Sequence, residues 1–440
     1  MPVPEEKFQK PRGLVIGAPG SGTGKTTLTL GLIAALRLRG LDVASAKVGP
    51  DYIDPRFLEA AAGRAVINLD GWAMPPRQLR SRFWDHAAGC DVAMIEGVMG
   101  LFDGAVGGGG STADVAQSLG LPVVLVVDAS GQSQSIAAVV HGFKTYRQDV
   151  DVMGVIATRV GSLRHAEMIS GALADCGVAH LGCVPNDARL HIASRHLGLV
   201  QALENETLGE LVDLAAEVVG GAVDIDRMLE LCRIVPPQPP AVPVCRLGRR
   251  IGVARDAAFA FSYPHVLSDW RKGGAELHFF SPLADEVPPR DCDAVFLPGG
   301  YPELHAGTLA AAGKTRAALM AMADRGDVIY GECGGFMYLG QALVDAGGKS
   351  HQMLGLLRHT STFADRARTL GYRKLHALAP FPMGGEFFGH EFHYSRILHQ
   401  GADEPLFEVR DAAGRERGVL GGVRGRVMGS YAHIIDGARG

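Results

Sequence analysis

The sequence predicts an α/β protein of two domains, and three observations carry that expectation. Apolar, strand-like runs alternate with helical stretches through both halves, the pattern of mostly parallel sheets covered on both faces. Pro236-Pro237-Gln238-Pro239-Pro240 breaks the alternation once, and neither a helix nor a central strand tolerates such a run. At 440 residues the chain is too long for one ordinary core. The expected division is a domain at 1–235, a stiff linker at 236–247 and a second domain at 248–440.

In the first half, the strand Gly13-Leu14-Val15-Ile16-Gly17 runs through Gly20-Ser21-Gly22-Thr23-Gly24-Lys25-Thr26-Thr27 into a helix expected over 28–39, closed by Gly40. This reads as a phosphate-binding loop. Backbone N–H groups at Gly20, Gly22 and Gly24 can curl around a polyphosphate, Lys25 can reach the outer phosphates, and the Thr26 hydroxyl, followed by Thr27, is placed to hold magnesium. The strict pattern is broken at Pro19, which stands where its first glycine belongs. A second strand at 43–48 ends in Lys47-Val48-Gly49-Pro50-Asp51-Tyr52-Ile53-Asp54-Pro55, and a third at 92–95 runs into Glu96-Gly97-Val98-Met99-Gly100-Leu101-Phe102-Asp103-Gly104. Ligands of open α/β sheets bind at the carboxyl ends of strands. Asp51, Asp54, Glu96 and Asp103 are therefore expected to converge on one anion, with Glu96 as the magnesium-holding acid and the others positioning substrate or a second metal. Each acid also has a plainer reading as a helix cap or turn residue. Gly107-Gly108-Gly109-Gly110 suggests a loop over substrate, and further strands at 123–127, 152–157 and 181–184 alternate with helices at 135–146, 166–175, 208–219 and 225–232.

The second half opens with strands at 250–254, 276–281 and 294–297, the last ending in Pro298-Gly299-Gly300. Val328-Ile329-Tyr330-Gly331-Glu332-Cys333-Gly334-Gly335-Phe336 then has the form of a nucleophile elbow with sulfur in place of oxygen, followed by a helix at 336–343. A cysteine at a helix N-terminus is expected to have a lowered pKa and to be nucleophilic near neutral pH. The N–H groups of Gly300 and Gly334 are candidate donors to an oxyanion. A thiolate of this kind needs a base. With 16 histidines in the chain, the pattern leaves His390, His393 and His433 open.

Composition narrows the function classes. A net charge of −4 gives no basic field for nucleic acid, and no apolar run approaches the length of a membrane span. The first residues are polar and lack the apolar core of a signal peptide, so the protein reads as cytoplasmic. Seven cysteines without a C-x-x-C pair argue against a disulfide framework and a zinc ribbon. A homodimer is compatible with these features.

Over nearly its whole length the chain resembles the cobyrinic acid a,c-diamide synthase family, including its hydrogenobyrinic acid branch. The resemblance rests on the loop ending in Gly24-Lys25-Thr26-Thr27, the Gly49 to Pro55 segment, Glu96 through Gly104, Leu297 through Glu303, the Gly331 to Gly335 elbow, Gly389-His390-Glu391-Phe392-His393-Tyr394-Ser395 and Tyr431-Ala432-His433, in the family's order. It implies an N-terminal synthetase domain similar to dethiobiotin synthetase and a C-terminal class I glutamine amidotransferase-like domain of the triad type. Carried over, Cys333 is the glutaminase nucleophile and His433 its base. Triad glutaminases typically carry His-x-Glu, whereas Ile435 stands two residues after His433, so the resemblance assigns no third residue. The implied reaction amidates the a and c acetate groups of a corrin-type polycarboxylate with glutamine and ATP. An acyl phosphate makes the carbonyl electrophilic, and glutamine hydrolysis releases unprotonated ammonia, which implies a channel closed to bulk water. Cobyric acid synthase and nickel-sirohydrochlorin a,c-diamide synthase share this two-domain logic. From another class, a partitioning-type switch ATPase usually has a signature lysine where this chain has Gly20 and Ser21, and it needs no nucleophile elbow.

Overall fold

The computed structural model describes residues 10–190, 194–195, 198–199 and 207–437. The main division into compact units falls between Ala241 and Val242. Residues 235–249 carry no helix or strand, as five-residue proline punctuation demands. The last part of that segment is docked on the second unit. Val244 N donates to Asp269 Oδ2 at 2.8 Å, and Trp270 Nε1 donates to the Cys245 carbonyl at 3.0 Å.

In the first unit the strands lie in the order Ile67–Leu69, Val43–Val48, Val92–Glu96, Arg12–Gly17, Val123–Asp128, Val152–Val160, Ala179–Pro185, all parallel, with Arg233–Ile234 pairing antiparallel to Arg12–Gly17. Every residue of Val43–Val48 and of Val92–Glu96 is buried, which is why these strands read as near-continuous apolar runs. The helix Lys25–Leu38 is buried along most of its length and packs on Leu208–Ala222, where Gly31 lets the two backbones approach. Leu14, Ile16, Leu30, Ile33, Phe57 and Val219 belong to the resulting core.

The second unit has a six-stranded sheet in the order Glu276–Phe280, Arg250–Ala254, Ala294–Leu297, Val328–Glu332, Val427–Ser430, Gly422–Arg424, parallel except for the last pair. Two further sheets were not foreseen. One has four strands, and the other has five antiparallel strands in the order Glu416–Leu420, Phe407–Asp411, Thr369–Ala377, Glu386–His393, His433–Gly437. The helix expected at 336–343 is corrected to Gly334–Leu339, after which Ala342–Val344 is a strand. Gly340 leaves the helix in an extended conformation, and Leu343 is buried from a strand instead.

Candidate active sites

The phosphate-binding loop leaves the central strand Arg12–Gly17 and enters Lys25–Leu38 through Gly24, whose φ of 84° is a left-handed position that favours glycine. Gly22, Gly24, Lys25, Thr26 and Thr27 line a cavity of about 750 Å³ that also receives Asp51, Asp54 and Glu96. Lys25 Nζ donates to the carbonyls of Gly20 at 3.0 Å and Met99 at 2.7 Å. Burial, and then the neighbouring Lys47 ammonium, lower its pKa to about 8.

Lys47, which no sequence motif names, ties the acids together. It stands opposite Glu96 in the register of two parallel strands. Its Nζ lies 2.5 Å from Glu96 Oε1, 2.6 Å from Asp54 Oδ2 and 3.9 Å from Asp51 Oδ2. Burial works against this charge, but the Asp54, Glu96 and Asp51 carboxylates outweigh it and hold the Lys47 pKa above its ordinary value. Thr26 Oγ1 donates to Glu96 Oε1 at 2.8 Å and lies 3.2 Å from Asp54 Oδ2. Asp51 turns its Oδ1 to the N–H groups of Ile53 at 2.8 Å and Asp54 at 3.2 Å, and burial, then Asp54, raise its pKa to about 7.

Asp103 does not touch Lys47, but its charge, with those of Glu96 and Asp54, acts on Lys25. Its Oδ2 accepts from Gly100 N at 2.8 Å and closes the turn after Glu96, so three acids meet at Lys47 and the fourth stabilises a loop. The donor set suits magnesium: Glu96 Oε2 is buried without a hydrogen-bond partner, and the Thr26 hydroxyl is within hydrogen-bond reach of the same carboxylate. Among the described residues no three His, Cys, Asp or Glu side chains close into a metal cage. An open set of oxygen donors of this kind is what phosphate oxygens and water would complete. The far wall of the cavity, with Thr158, Arg159, Asn186 and Asp187, also escaped the sequence reading. Its signal was the ends of the last two parallel strands, Val152–Val160 and Ala179–Pro185, beside which ligands of such sheets bind.

In the second unit Cys333 follows the buried strand Val328–Glu332 and has φ 48° and ψ −102°, a strained backbone for a residue with a side chain. Its N–H donates to the Ser430 carbonyl at 2.8 Å, which fixes the turn to the neighbouring strand. The glycines around it are there for space: a Cβ on Gly335 would lie 1.8 Å from the Leu297 carbonyl oxygen. A Cβ on Gly299 would lie 2.3 Å from His433 Cε1, 3.2 Å from His433 Nε2 and 3.3 Å from Cys333 Cβ. The absent side chain thus lets the imidazole and the cysteine meet over one backbone atom. Gly300 N lies 3.0 Å from where a Cβ on Gly334 would sit, so the two candidate oxyanion donors belong to adjoining backbone.

The other two histidines have different partners. His390 stacks on His433 with ring centroids 4.9 Å apart, and burial lowers its pKa to about 3. His393 stacks on Tyr431 at 4.0 Å and faces Glu391 Oε1 at 3.4 Å. Glu332, beside Cys333, points its Oε2 at His433 Nδ1 from 3.8 Å. The expectation of a lowered Cys333 pKa is corrected. Burial, then the Glu303 carboxylate, push the thiol well above its ordinary value, opposed by a hydrogen bond from Gly334 N–H. A six-residue helix supplies too little field to offset full burial. Burial, then His390 and His393, hold His433 well below its usual pKa, so the resting pair is a neutral thiol and a neutral imidazole.

The sequence pattern described as the CobQ/CobB/MinD/ParA nucleotide binding domain matches residues 14–200, and that of the CobB/CobQ-like glutamine amidotransferase domain matches residues 250–439. A hydrogenobyrinate a,c-diamide synthase of Brucella abortus biovar 1 (strain 9-941) is 51% identical over 432 residues, covering 97% of this chain and 98% of that protein. This chain belongs to the hydrogenobyrinate a,c-diamide synthase family. Enzymes of the same name from Rhizobium meliloti (strain 1021) and a Sinorhizobium species are 50% and 49% identical, covering 96% of this chain and 99% and 98% of theirs. Membership of this synthase family makes the chain an ATP-dependent, glutamine-using ligase, with its nucleotide binding domain at residues 14–200 and its glutamine amidotransferase domain at residues 250–439.

Proposed function

We propose that this chain converts hydrogenobyrinate to its a,c-diamide, taking each nitrogen from glutamine and activating each acetate group with ATP. One observation carries the reading: a single chain holds both a phosphate-binding loop with a buried acid–lysine cluster and a separate cysteine–histidine elbow. The names of its relatives support the choice of macrocycle. The substrates are small polar molecules and no described helix is long and apolar enough to cross a membrane, so we place the reaction in the cytoplasm.

In the second unit, Cys333 Sγ attacks the carboxamide carbon of glutamine while His433 Nε2 takes the thiol proton. The N–H groups of Gly300 and Gly334 face the oxygen that gains charge. His433 returns the proton to nitrogen as the C–N bond breaks, ammonia leaves, and water cleaves the thioester to glutamate. Burial shifts both thiol and imidazole toward their neutral forms, so the proton must move from Sγ to Nε2 for the sulfur to attack. In the first unit, an acetate oxygen attacks the γ-phosphorus of ATP and ADP leaves; ammonia then attacks the acyl carbon, phosphate leaves, and the proton lost from nitrogen goes to the departing phosphate. Lys25 offsets charge at the outer phosphates, and Lys47 keeps Asp54 and Glu96 from repelling them. Thr26 and Glu96, with Asp54 alongside, would hold magnesium, which when bound draws charge from the phosphate oxygens. Asp51 is placed to orient the ring carboxylate.

The test is turnover of hydrogenobyrinate and cobyrinate side by side, with ATP, magnesium and glutamine and with mass spectrometry of the products. Diamide from hydrogenobyrinate in preference to cobyrinate is expected. Absence of amide from either would overturn the reading.

A further inference from the structure

Triad glutaminases place a carboxylate two residues after the histidine, and here that position is the buried, apolar Ile435. The same space is reached from another strand. Glu332 ends Val328–Glu332, is paired in register with Ser430, and is 4% exposed. Its Oε1 accepts from Tyr330 O–H at 3.1 Å and from Ile434 N–H at 3.1 Å. These two donors, one on its own strand and one beside His433, fix the carboxyl group and leave Oε2 facing His433 Nδ1 at 3.8 Å. The opposite edge of the imidazole, Cε1 and Nε2, lies over Gly299 next to Cys333 Cβ. The ring therefore spans from carboxylate to thiol.

We propose that Glu332 is the positioning residue of the glutaminase site and takes the part of the missing third member of the triad. The inference rests on the reading of Cys333 and His433 as nucleophile and base. Once ionised, which burial shifts toward alkaline pH, Glu332 favours the tautomer with hydrogen on Nδ1 and leaves the Nε2 lone pair for the thiol proton, so glutaminase kcat should rise with pH toward about 8. When that proton moves from Sγ to Nε2 and the S–C bond forms, the carboxylate 3.8 Å away offsets the new charge of the imidazolium, which His390 and His393 would otherwise oppose. When the C–N bond breaks the proton goes to ammonia and the ring is neutral again. Glu332 touches neither glutamine nor the reacting carbon. It acts only through His433.

Glu332→Gln keeps an oxygen for Tyr330 and Ile434 but offers an N–H to Nδ1 and so selects the wrong tautomer. Steady-state glutaminase kinetics with ATP and macrocycle present should show kcat reduced on the order of 10²-fold or more, the scale of tautomer-reversing changes in other triads, with KM for glutamine within about threefold of wild type. Ammonia-dependent amidation, measured on the same preparation, should stay at the wild-type rate. Glu332→Asp should recover part of kcat. Wild-type kcat in Glu332→Gln would overturn the proposal, as would a loss confined to KM. If Glu332→Gln and Glu332→Asp both lost the ammonia route as well, Glu332 would serve the fold and the proposal would also fall. Cys333→Ser run in parallel separates the two readings: glutaminase surviving in that variant refutes the site itself, whereas its loss there with normal Glu332→Gln refutes only the role of Glu332.

Discussion

Lys47, one residue before the end of Val43–Val48, and Glu332, the last residue of Val328–Glu332, lie next to residues that motifs do name, and each supplies a charge to them. Glu96 depends most on that arrangement in the first unit. It is wholly buried, shares Oε1 between Lys47 and Thr26, and keeps Oε2 unpaired. Glu96→Gln should therefore bind macrocycle but form diamide at least about tenfold more slowly, with a raised magnesium requirement. Time courses of monoamide and diamide at varied magnesium check this, and an unchanged magnesium requirement would reduce Glu96 to a strand-end hydrogen-bond acceptor. Glu332 carries a pH signature. Its folded pKa of about 8 lies above the ordinary 4.5, because burial outweighs the hydrogen bonds from Ile434 and Tyr330. Between those values the folded chain keeps a proton that the unfolded chain has lost, so this group's contribution to stability falls as pH rises through the window. Melting temperatures of Glu332→Gln relative to wild type should accordingly rise from pH 5 to pH 8.5, and a constant difference would contradict the assigned shift. At this scale Cys333, Lys25 and Thr26 stood out as candidates because glycine spacing announces them. Lys47 left a fainter mark, a lysine inside an apolar strand, and Glu332 was hidden by the cysteine beside it.

At the level of elements, the parallel strands were readable because burial on both faces makes them continuous apolar runs, and the strand expected at 43–48 appears as Val43–Val48. The antiparallel sheets were not readable. Thr369–Ala377 is mostly half-exposed or exposed, with a single fully buried residue, so it has neither an apolar run nor a clean alternation. The helix after the elbow was overextended because Leu343 looked like its continuation, whereas Gly340 ends it and Leu343 packs from a strand. The elbow itself is set by steric exclusion. Gly335→Ala would bring a Cβ to 1.8 Å from the Leu297 carbonyl, a backbone atom that cannot swing aside. A loss of on the order of 1–3 kcal/mol or more is expected, with glutaminase activity falling further than stability because the turn carries Cys333. Thermal melts together with glutaminase assays test this, and a variant with wild-type values in both would mean that the close approach does not constrain the turn.

At the scale of the whole molecule, each unit has its own sheet and core, and the proposed reaction draws one site from each. That division was legible from Pro236 through Pro240 and from the two glycine motifs. A corrin-type substrate was expected only through resemblance, and the choice between hydrogenobyrinate and cobyrinate stayed open, because no short pattern in the sequence could be assigned to the ring centre. The division predicts two opposite failures. Lys25→Ala should abolish amidation with either nitrogen source, as both need the acyl phosphate, while basal glutamine hydrolysis survives. Amide formed from ammonia at the wild-type rate by that variant would remove the phosphate-binding loop from the mechanism. The most direct measurement is amidation of hydrogenobyrinate by Cys333→Ser, assayed by mass spectrometry with glutamine and, separately, with ammonium salt at high pH. The two-site account predicts no amide from glutamine and near-wild-type amide from ammonia, whereas amide from glutamine, or none from ammonia in a folded variant, would contradict it.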